Sequence, residues 1–436
     1  MKENNHLRPA AALLAALALT VTAELSGEAS PTDAPPVEVL VEEALRAAPS
    51  LEAMHERLAA ARELVHPAGA LPSPMLELML QNERLDRLTV GDMGMSMLGP
   101  ELRQTFPWPG KRAAWRAVAE LDADAREVEI ELAGRELSKA VRQAAAGIWA
   151  VERRLELVAG ALDLQQLLIQ TVMARYGTGE GEQAAVVRAQ LEGSRLARQR
   201  LELDGAREVL VATLARLLGR PPGSPFGSFT ERPVVGLPPP PWGELARAAS
   251  PLVASRRLAV ERAQREEEAA RLALRPDLTA GAGLAYRGSL DPVVSLRFGL
   301  EVPLWRRQVQ EPKLRAAGHE LAAAHAALRQ AELDAASEAA RLEADWRRVR
   351  SVARLTESTL VPQTSAAIDS ARSAYLGGRG ELAMVVEALR MWLEARMELV
   401  DLQAREAAIE AEVQVLVGDT HEAGSGGPSA AEGGAR

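Results

Sequence analysis

The sequence predicts a mainly α-helical protein with a small β part, built from a helix–strand–strand–long helix–helix unit that occurs twice. Three observations predict this class. The 436 residues are 47% hydrophobic and 25% charged but only 3% aromatic. That balance, rich in Ala, Leu, Glu and Arg, favours long helices in coiled-coil contact over a bulky globular core. The second observation is an internal repeat, and the third is an uninterrupted heptad seam.

The repeat is clearest in "RYGTGEGEQAAVVRAQ" from Arg175, which aligns with "AYLGGRGELAMVVEAL" from Ala374. Tyr176 pairs with Tyr375, Gly179 with Gly378, Gly181 with Gly380 and Glu182 with Glu381, and the offset of 199 residues persists without a gap to Gly219 and Gly418. Upstream, "EALRAAPSLEA" from Glu43 matches "ELARAASPLVA" from Glu244, and "FPW" at Phe106 matches "VPL" at Val302. The expected organisation is repeat one over 37–220, a Pro-rich linker over 221–241, repeat two over 242–418, and a Gly/Ser/Ala-rich tail over 419–436 that reads as disordered.

Ahead of the repeats, residues 1–23 read as a signal peptide. Lys2 and Arg8 form a positive start, Ala10–Val21 a short apolar run, and Val21-Thr22-Ala23 a candidate cleavage site. That run is too short to span a bilayer as a helix, and no other long apolar run is found, so no transmembrane helix is expected in the mature chain. The chain has no cysteine, which excludes disulfides, thiolate metal sites and a lipidated N-terminal cysteine. The net charge of −9 and pI near 5.5 come without a basic patch, so no nucleic-acid partner is expected.

Each unit opens with a helix, predicted over Val37–Leu64 and Trp242–Leu274. Two strands follow in each. The fourth is plainest: Val294, Leu296, Phe298, Leu300 and Val302 alternate with Ser295, Arg297, Gly299 and Glu301. The third alternates Leu278, Ala280, Ala282, Leu284 and Tyr286 with small residues. The first, from Met75, places Leu76, Leu78 and Leu80 opposite Glu77; in the second, Leu102 and Phe106 oppose Glu101, Arg103 and Thr105, with Gln104 interrupting the apolar face. This pattern fits a soluble sheet and a membrane barrel strand of about ten residues alike. Four strands cannot close a barrel in lipid, because their edges would stay unpaired. Either the setting is soluble or several chains share one barrel.

Next comes the long helix, from Lys111 to Tyr176, about 100 Å at the α-helical rise. Its seam, Leu137, Val141, Ala144, Ile148, Val151, Leu155, Val158, Leu162, Gln165, Ile169, Val172 and Tyr176, steps by four and three with only Gln165 polar. Gly177, Gly179 and Gly181 end it, and a second helix returns through Leu196, Leu203, Leu210 and Leu217. In repeat two, Pro362 should kink the outgoing helix. At the strand-to-helix turn "FPWPGK", Pro107 cannot donate to a ladder and Pro109 suits a first helical turn. Trp108, Lys111 and Arg112 suit a membrane boundary, though an ordinary edge strand ending at proline explains Pro107 equally well.

No enzyme and no cofactor are expected. "HELAAAH" (His319–His325) spaces its histidines six apart, wrong for a zinc helix, so both read as solvated face residues. Met93, Met95 and Met97 in "DMGMSM" can offer thioethers to soft copper or silver ions, or simply fill an apolar loop.

These residues resemble the TolC-like outer-membrane efflux proteins over nearly the whole mature chain, on the duplicated units and the glycine turns "RYGTGEG" and "AYLGGRG". "QTFPWPGKR" (Gln104–Arg112) resembles the heavy-metal branch of the CzcC and CusC types. The resemblance implies a homotrimer, in which four strands from each chain make a twelve-stranded transmembrane β-barrel continued by an α-helical coiled-coil barrel in the periplasm. It implies a passive exit duct in the outer-membrane lipid, docked to a periplasmic adaptor and an inner-membrane RND pump, and in the metal branch a cargo of heavy-metal cations. Ducts for drugs or secreted proteins are the alternative within that class; a soluble periplasmic coiled-coil scaffold is the alternative outside it. The glycine turns then become periplasmic tips for adaptor docking and gating, with Tyr176, Gly179, Glu180, Gly181, Glu182, Tyr375, Gly378, Arg379, Gly380 and Glu381 as the candidate residues. Pro107, Trp108, Pro109, Gly110, Lys111, Pro303 and Trp305 become the membrane-interface turns. With no lipidation cysteine, anchoring would rest on the barrel alone.

Overall fold

A computed structural model describes residues 34–418. The expected signal peptide and the expected disordered tail lie outside the described residues.

Repeat one does not open with one helix but with two, α1 (Val37–Ala47) and α2 (Pro49–Ala68). Ala48 between them is extended, with ψ 111°. The ring of Pro49 excludes the α region for the residue before it, so the chain must turn before the helix can restart. After the strands β1 (Met75–Gln81) and β2 (Met97–Phe106), helix α3 runs unbroken over Lys111–Gly177, 67 residues, and α4 (Gln183–Leu217) returns. Repeat two copies the correction as well as the plan. Its opening segment is α5 (Gly243–Ala249) and α6 (Pro251–Leu272), broken at Ser250 before Pro251. Then follow β3 (Asp277–Arg287), β4 (Leu290–Glu301), α7 (Gln310–Leu355), α8 (Val361–Leu376) and α9 (Leu382–Val417).

The break expected at Pro362 takes a specific form. Residues Thr356–Leu360 make one π-helical turn between α7 and α8, and the Val361 N–H reaches back to the Thr356 carbonyl. Proline lacks the donor for the next rung and its ring crowds the carbonyl four residues back; a wider turn accommodates both.

Helix α3 is the hub. It packs against α2, α4, α6 and α9, while α9 packs in turn on α7 and α8. One stretch of α3 is long and apolar enough by composition to cross a bilayer, yet the helix is about three times the length a span requires. Of that stretch, 28% is buried inside the structure. Val141, Ile148, Val158 and Val172 of the predicted seam are buried. Gln165 is buried too, and its amide donates to the Ala189 carbonyl of α4 at 2.8 Å, so the polar interruption is a cross-link between the two helices. Tyr176 departs from the seam: it is 50% exposed, at the end of the helix.

The linker lies across the helices. The Phe229 N–H and the Ser228 hydroxyl donate to the buried Glu152 of α3, and the Trp242 N–H donates to the buried Glu343 of α7.

The strands form one antiparallel sheet in the order β1-β2-β3-β4. Leu76 faces Leu102, Leu102 faces Ala282, and Ala282 faces Leu296, so one row crosses all four strands. The register puts the apolar sets of all four strands on one side of the sheet, as the alternation predicts.

Candidate functional site

The two hairpin tips have the same backbone. After α3, the Glu180 N–H donates to the Arg175 carbonyl at 2.9 Å and the Gly179 N–H to the Tyr176 carbonyl at 3.1 Å. After α8, Arg379 and Gly378 repeat those bonds to Ala374 and Tyr375 at the same distances. This is the Schellman ending, with Gly179 (φ +79°) and Gly378 (φ +74°) in the left-handed position that closes it. Space around both glycines is open, whereas a Cβ on Gly181 or Gly380 would come within 3.0 Å of the Tyr176 or Tyr375 backbone nitrogen. The four glycines therefore divide into two that supply a conformation and two that permit a close approach.

The repeat-equivalent tyrosines have different surroundings. Tyr375 is 5% exposed, against half for Tyr176. Tyr375 packs in a buried cluster with Leu168, Val172, Leu382 and Val386, and Arg175 adds to it: its guanidinium lies 4.6 Å from the centre of the Tyr375 ring and donates to the Tyr375 carbonyl at 2.8 Å. The repeat has Ala374 in the matching place, so no equivalent clasp forms over Tyr176. Sequence reasoning missed Arg175, although the Arg-for-Ala mismatch within a well-matched block was a signal. Between the tips is a cleft of about 430 Å³ whose lining includes Arg175, Glu180, Glu182, Arg188, Tyr375 and Glu381. Of the expected tip residues, Tyr176, Gly179, Gly378, Arg379 and Gly380 do not line this cleft.

Farther along, the Arg390 guanidinium of α9 makes a bidentate pair with the largely buried Glu192 of α4, and Arg195 adds a contact at 3.3 Å. The Arg390 hydrogen bonds hold the Glu192 carboxyl below its ordinary range, against the opposing effect of burial.

At the strand-to-helix turn, the structure gives Lys111 specific partners. Its side chain is buried: Nζ donates to the Arg275 carbonyl at 2.9 Å and to Asp277 Oδ1 at 2.8 Å. The Trp108 N–H donates to the same oxygen at 2.7 Å. A buried ammonium requires such partners, and these tie the end of β2 to the start of β3. Pro107 follows the last ladder residue, and Gly110 (φ +96°) precedes the first residue of α3. In repeat two, Pro303 and Trp305 lie in a longer turn, with Trp305 exposed.

The sheet has two unlike faces. Leu78, Leu102, Leu284, Leu296 and Phe298 are all exposed, Phe298 by 84%. The opposite face carries Glu77, Glu101, Arg103 and Arg297 in one ion-pair network. Gln104, the interruption on the apolar side, sits at the end of β2, where its amide donates to the Pro72 and Thr105 carbonyls.

Met93 and Met95 lie in the β1–β2 connection, which folds over the Gly288 turn, and Met97 begins β2. Met95 is exposed and Met93 half-buried. Among the described residues no group of three His, Cys, Asp or Glu side chains is placed to hold a metal, and His319 and His325 are exposed on α7.

A sequence model described as outer membrane efflux protein matches residues 40–220 and 242–419. No curated protein sequence matches. Among solved structures, the outer membrane protein VceC from Vibrio cholerae is similar at 22% identity, over 88% of this chain and 96% of that one, with a TM-score of 0.74. CusC, whose structures are described in terms of folding and transmembrane channel formation, aligns at 16% identity over 95% of this chain and 99% of its own, with a TM-score of 0.75. The CmeC outer membrane channel of Campylobacter jejuni aligns at 14% identity over 90% of both chains, with a TM-score of 0.73.

Proposed function

The chain belongs to the outer membrane efflux protein family, and on that premise we propose that it is the outer-membrane exit duct of a tripartite RND-type efflux system. Members of the family are channels, not enzymes. The observation that carries the reading is the sheet. One face is apolar and exposed along all four strands, and β1 and β4 each present an edge with no partner among the described residues.

In water that face would be an aggregation surface. In lipid it is the expected exterior, but the edges must be paired. Three copies joined edge to edge give twelve strands, an even number that closes a barrel. The homotrimer continues as a helical tunnel through the periplasm, with the tips meeting an adaptor and the inner-membrane pump beyond. Heavy-metal cations are the proposed cargo. What supports this is the "QTFPWPGKR" segment and the acidic side chains at the tips, Glu180, Glu182 and Glu381, which favour cations at a pore entrance.

The test of cargo is genetic. Deletion should sensitise the host to divalent or monovalent metal ions more than to dyes and detergents; the reverse ranking moves the duct to drug export. The test of setting is fractionation. Recovery of the chain with soluble periplasm and none with outer membrane would eliminate the duct altogether.

A further inference from the structure

The polar face of the sheet holds a charge network with an unusual layering. Arg103, Gly281 and Arg297 form one cross-strand row; Glu77, Glu101, Gly283 and Ser295 form the next. Glu101 is only 3% exposed, although it stands on an open sheet face. Arg103 approaches its Oε1 at 3.5 Å and Arg297 its Oε2 at 3.1 Å, while Glu77 contacts Arg103 at 3.3 Å.

The glycines explain how a carboxylate hides there. A Cβ on Gly281 would stand 3.5 Å from Glu101 Oε1, and one on Gly283 would stand 3.5 Å from Glu101 Cβ. Glu101 therefore sits beside two positions of β3 that carry no side chain, Gly281 and Gly283. The two guanidinia close over it and remain 40% and 50% exposed. Solvent on this face meets Arg103 and Arg297 directly but meets Glu101 hardly at all.

With all four groups charged, the network is neutral. Without Glu101, each chain would present a net positive charge through guanidinia that already face solvent. Low-dielectric walls focus the field inside a pore, and rings of arginine select anions where rings of carboxylate select cations. We propose that Glu101 is the residue that sets the charge selectivity of the barrel, balancing the positive charges of Arg103 and Arg297 so that cations can pass. This rests on the trimeric barrel above, in which three copies of the network form one ring around the lumen.

The experiment is a reversal-potential measurement on purified full-length trimers in planar bilayers under a potassium chloride gradient. Glu101→Gln should move the reversal potential toward chloride. Arg297→Gln, at a half-exposed side chain, should move it toward potassium, and the double variant should return close to wild type. If both single variants keep the wild-type potential, or if the double variant stays where Glu101→Gln put it, the assignment is overturned. Should Glu101→Gln fail to form trimers, an unshifted Arg297→Gln overturns it alone. A wild-type chain that forms no conducting pore removes the barrel, and this proposal with it, a result distinct from a conducting pore indifferent to these charges.

Discussion

The guanidinium of Arg175 stacks 4.6 Å from the ring centre of Tyr375 and donates to that residue's carbonyl at 2.8 Å, so a single side chain clasps the two tips of one chain. A partly buried cation–π contact contributes about 1 kcal/mol, which corresponds to about a fivefold change in a local opening equilibrium. Arg175→Ala should therefore raise amide hydrogen exchange in the α8–α9 turn by about that factor, with the sheet unaffected. Arg175→Lys should recover little of the protection, because lysine lacks the planar face that stacks. Equal protection in all three proteins would show that the clasp does not hold the tips.

At the left-handed positions, the proposed adaptor contact can be separated from the turn itself. Gly179→Trp and Gly378→Trp place bulk in open space but force a side chain into positive φ, at a cost of about 1–2 kcal/mol confined to the turn. Trimers should still reach the outer membrane, and export should fail. Gly179→Asn tolerates the same backbone without the bulk and should keep export. If tryptophan variants export normally, the tips are not the docking surface; if their trimers are lost, the glycines serve assembly instead.

Strand parity should report the environment. Spin labels at Leu296, Phe298 and Leu300 should be accessible to oxygen dissolved in lipid, and labels at Ser295, Arg297 and Glu301 to a water-soluble paramagnetic reagent. A one-residue slip in register would exchange the two sets entirely. The opposite accessibility pattern would therefore overturn the assignment of faces.

The Glu192–Arg390 pair should leave a pH signature. Arg390 lowers the Glu192 carboxyl below its ordinary 4.5, so its stabilisation is fully present above that value and is lost as pH falls through the depressed one. Arg390 is half-exposed, which keeps the expected loss for Arg390→Ala to about 1–2 kcal/mol at neutral pH. Melting temperatures of wild type and variant should differ at pH 7 and converge in acid below the ordinary carboxylate range. A gap that persists unchanged to low pH would mean that packing, not charge, joins α4 to α9.

Periodicity and repetition are local properties, and what depends on them was legible in the residues alone. The alternation through Val294–Leu300 determined a strand with two unlike faces, and the steps of four and three through Val141–Val172 determined a helix and its buried seam. The repeat determined that whatever ended one long helix would end the other, and the matching hydrogen bonds at Gly179 and Gly378 follow. Pro49 and Pro251 were equally local signals; the apolar pattern running through them concealed the breaks they impose.

Tertiary structure alone decided which distant groups meet. Lys111 reaches Asp277 across 166 residues, Arg175 covers the tyrosine of the other repeat, and Glu101 sits beside glycines of β3. No spacing encodes these partners, because each contact joins one repeat to the other and its geometry is set by the order in which helices and strands pack. The repeat even conceals them. Two copies of one sequence pattern predict equivalent tyrosines, and only the packed structure makes Tyr375 buried and Tyr176 exposed, since burial belongs to the neighbours a residue acquires and not to the pattern that carries it.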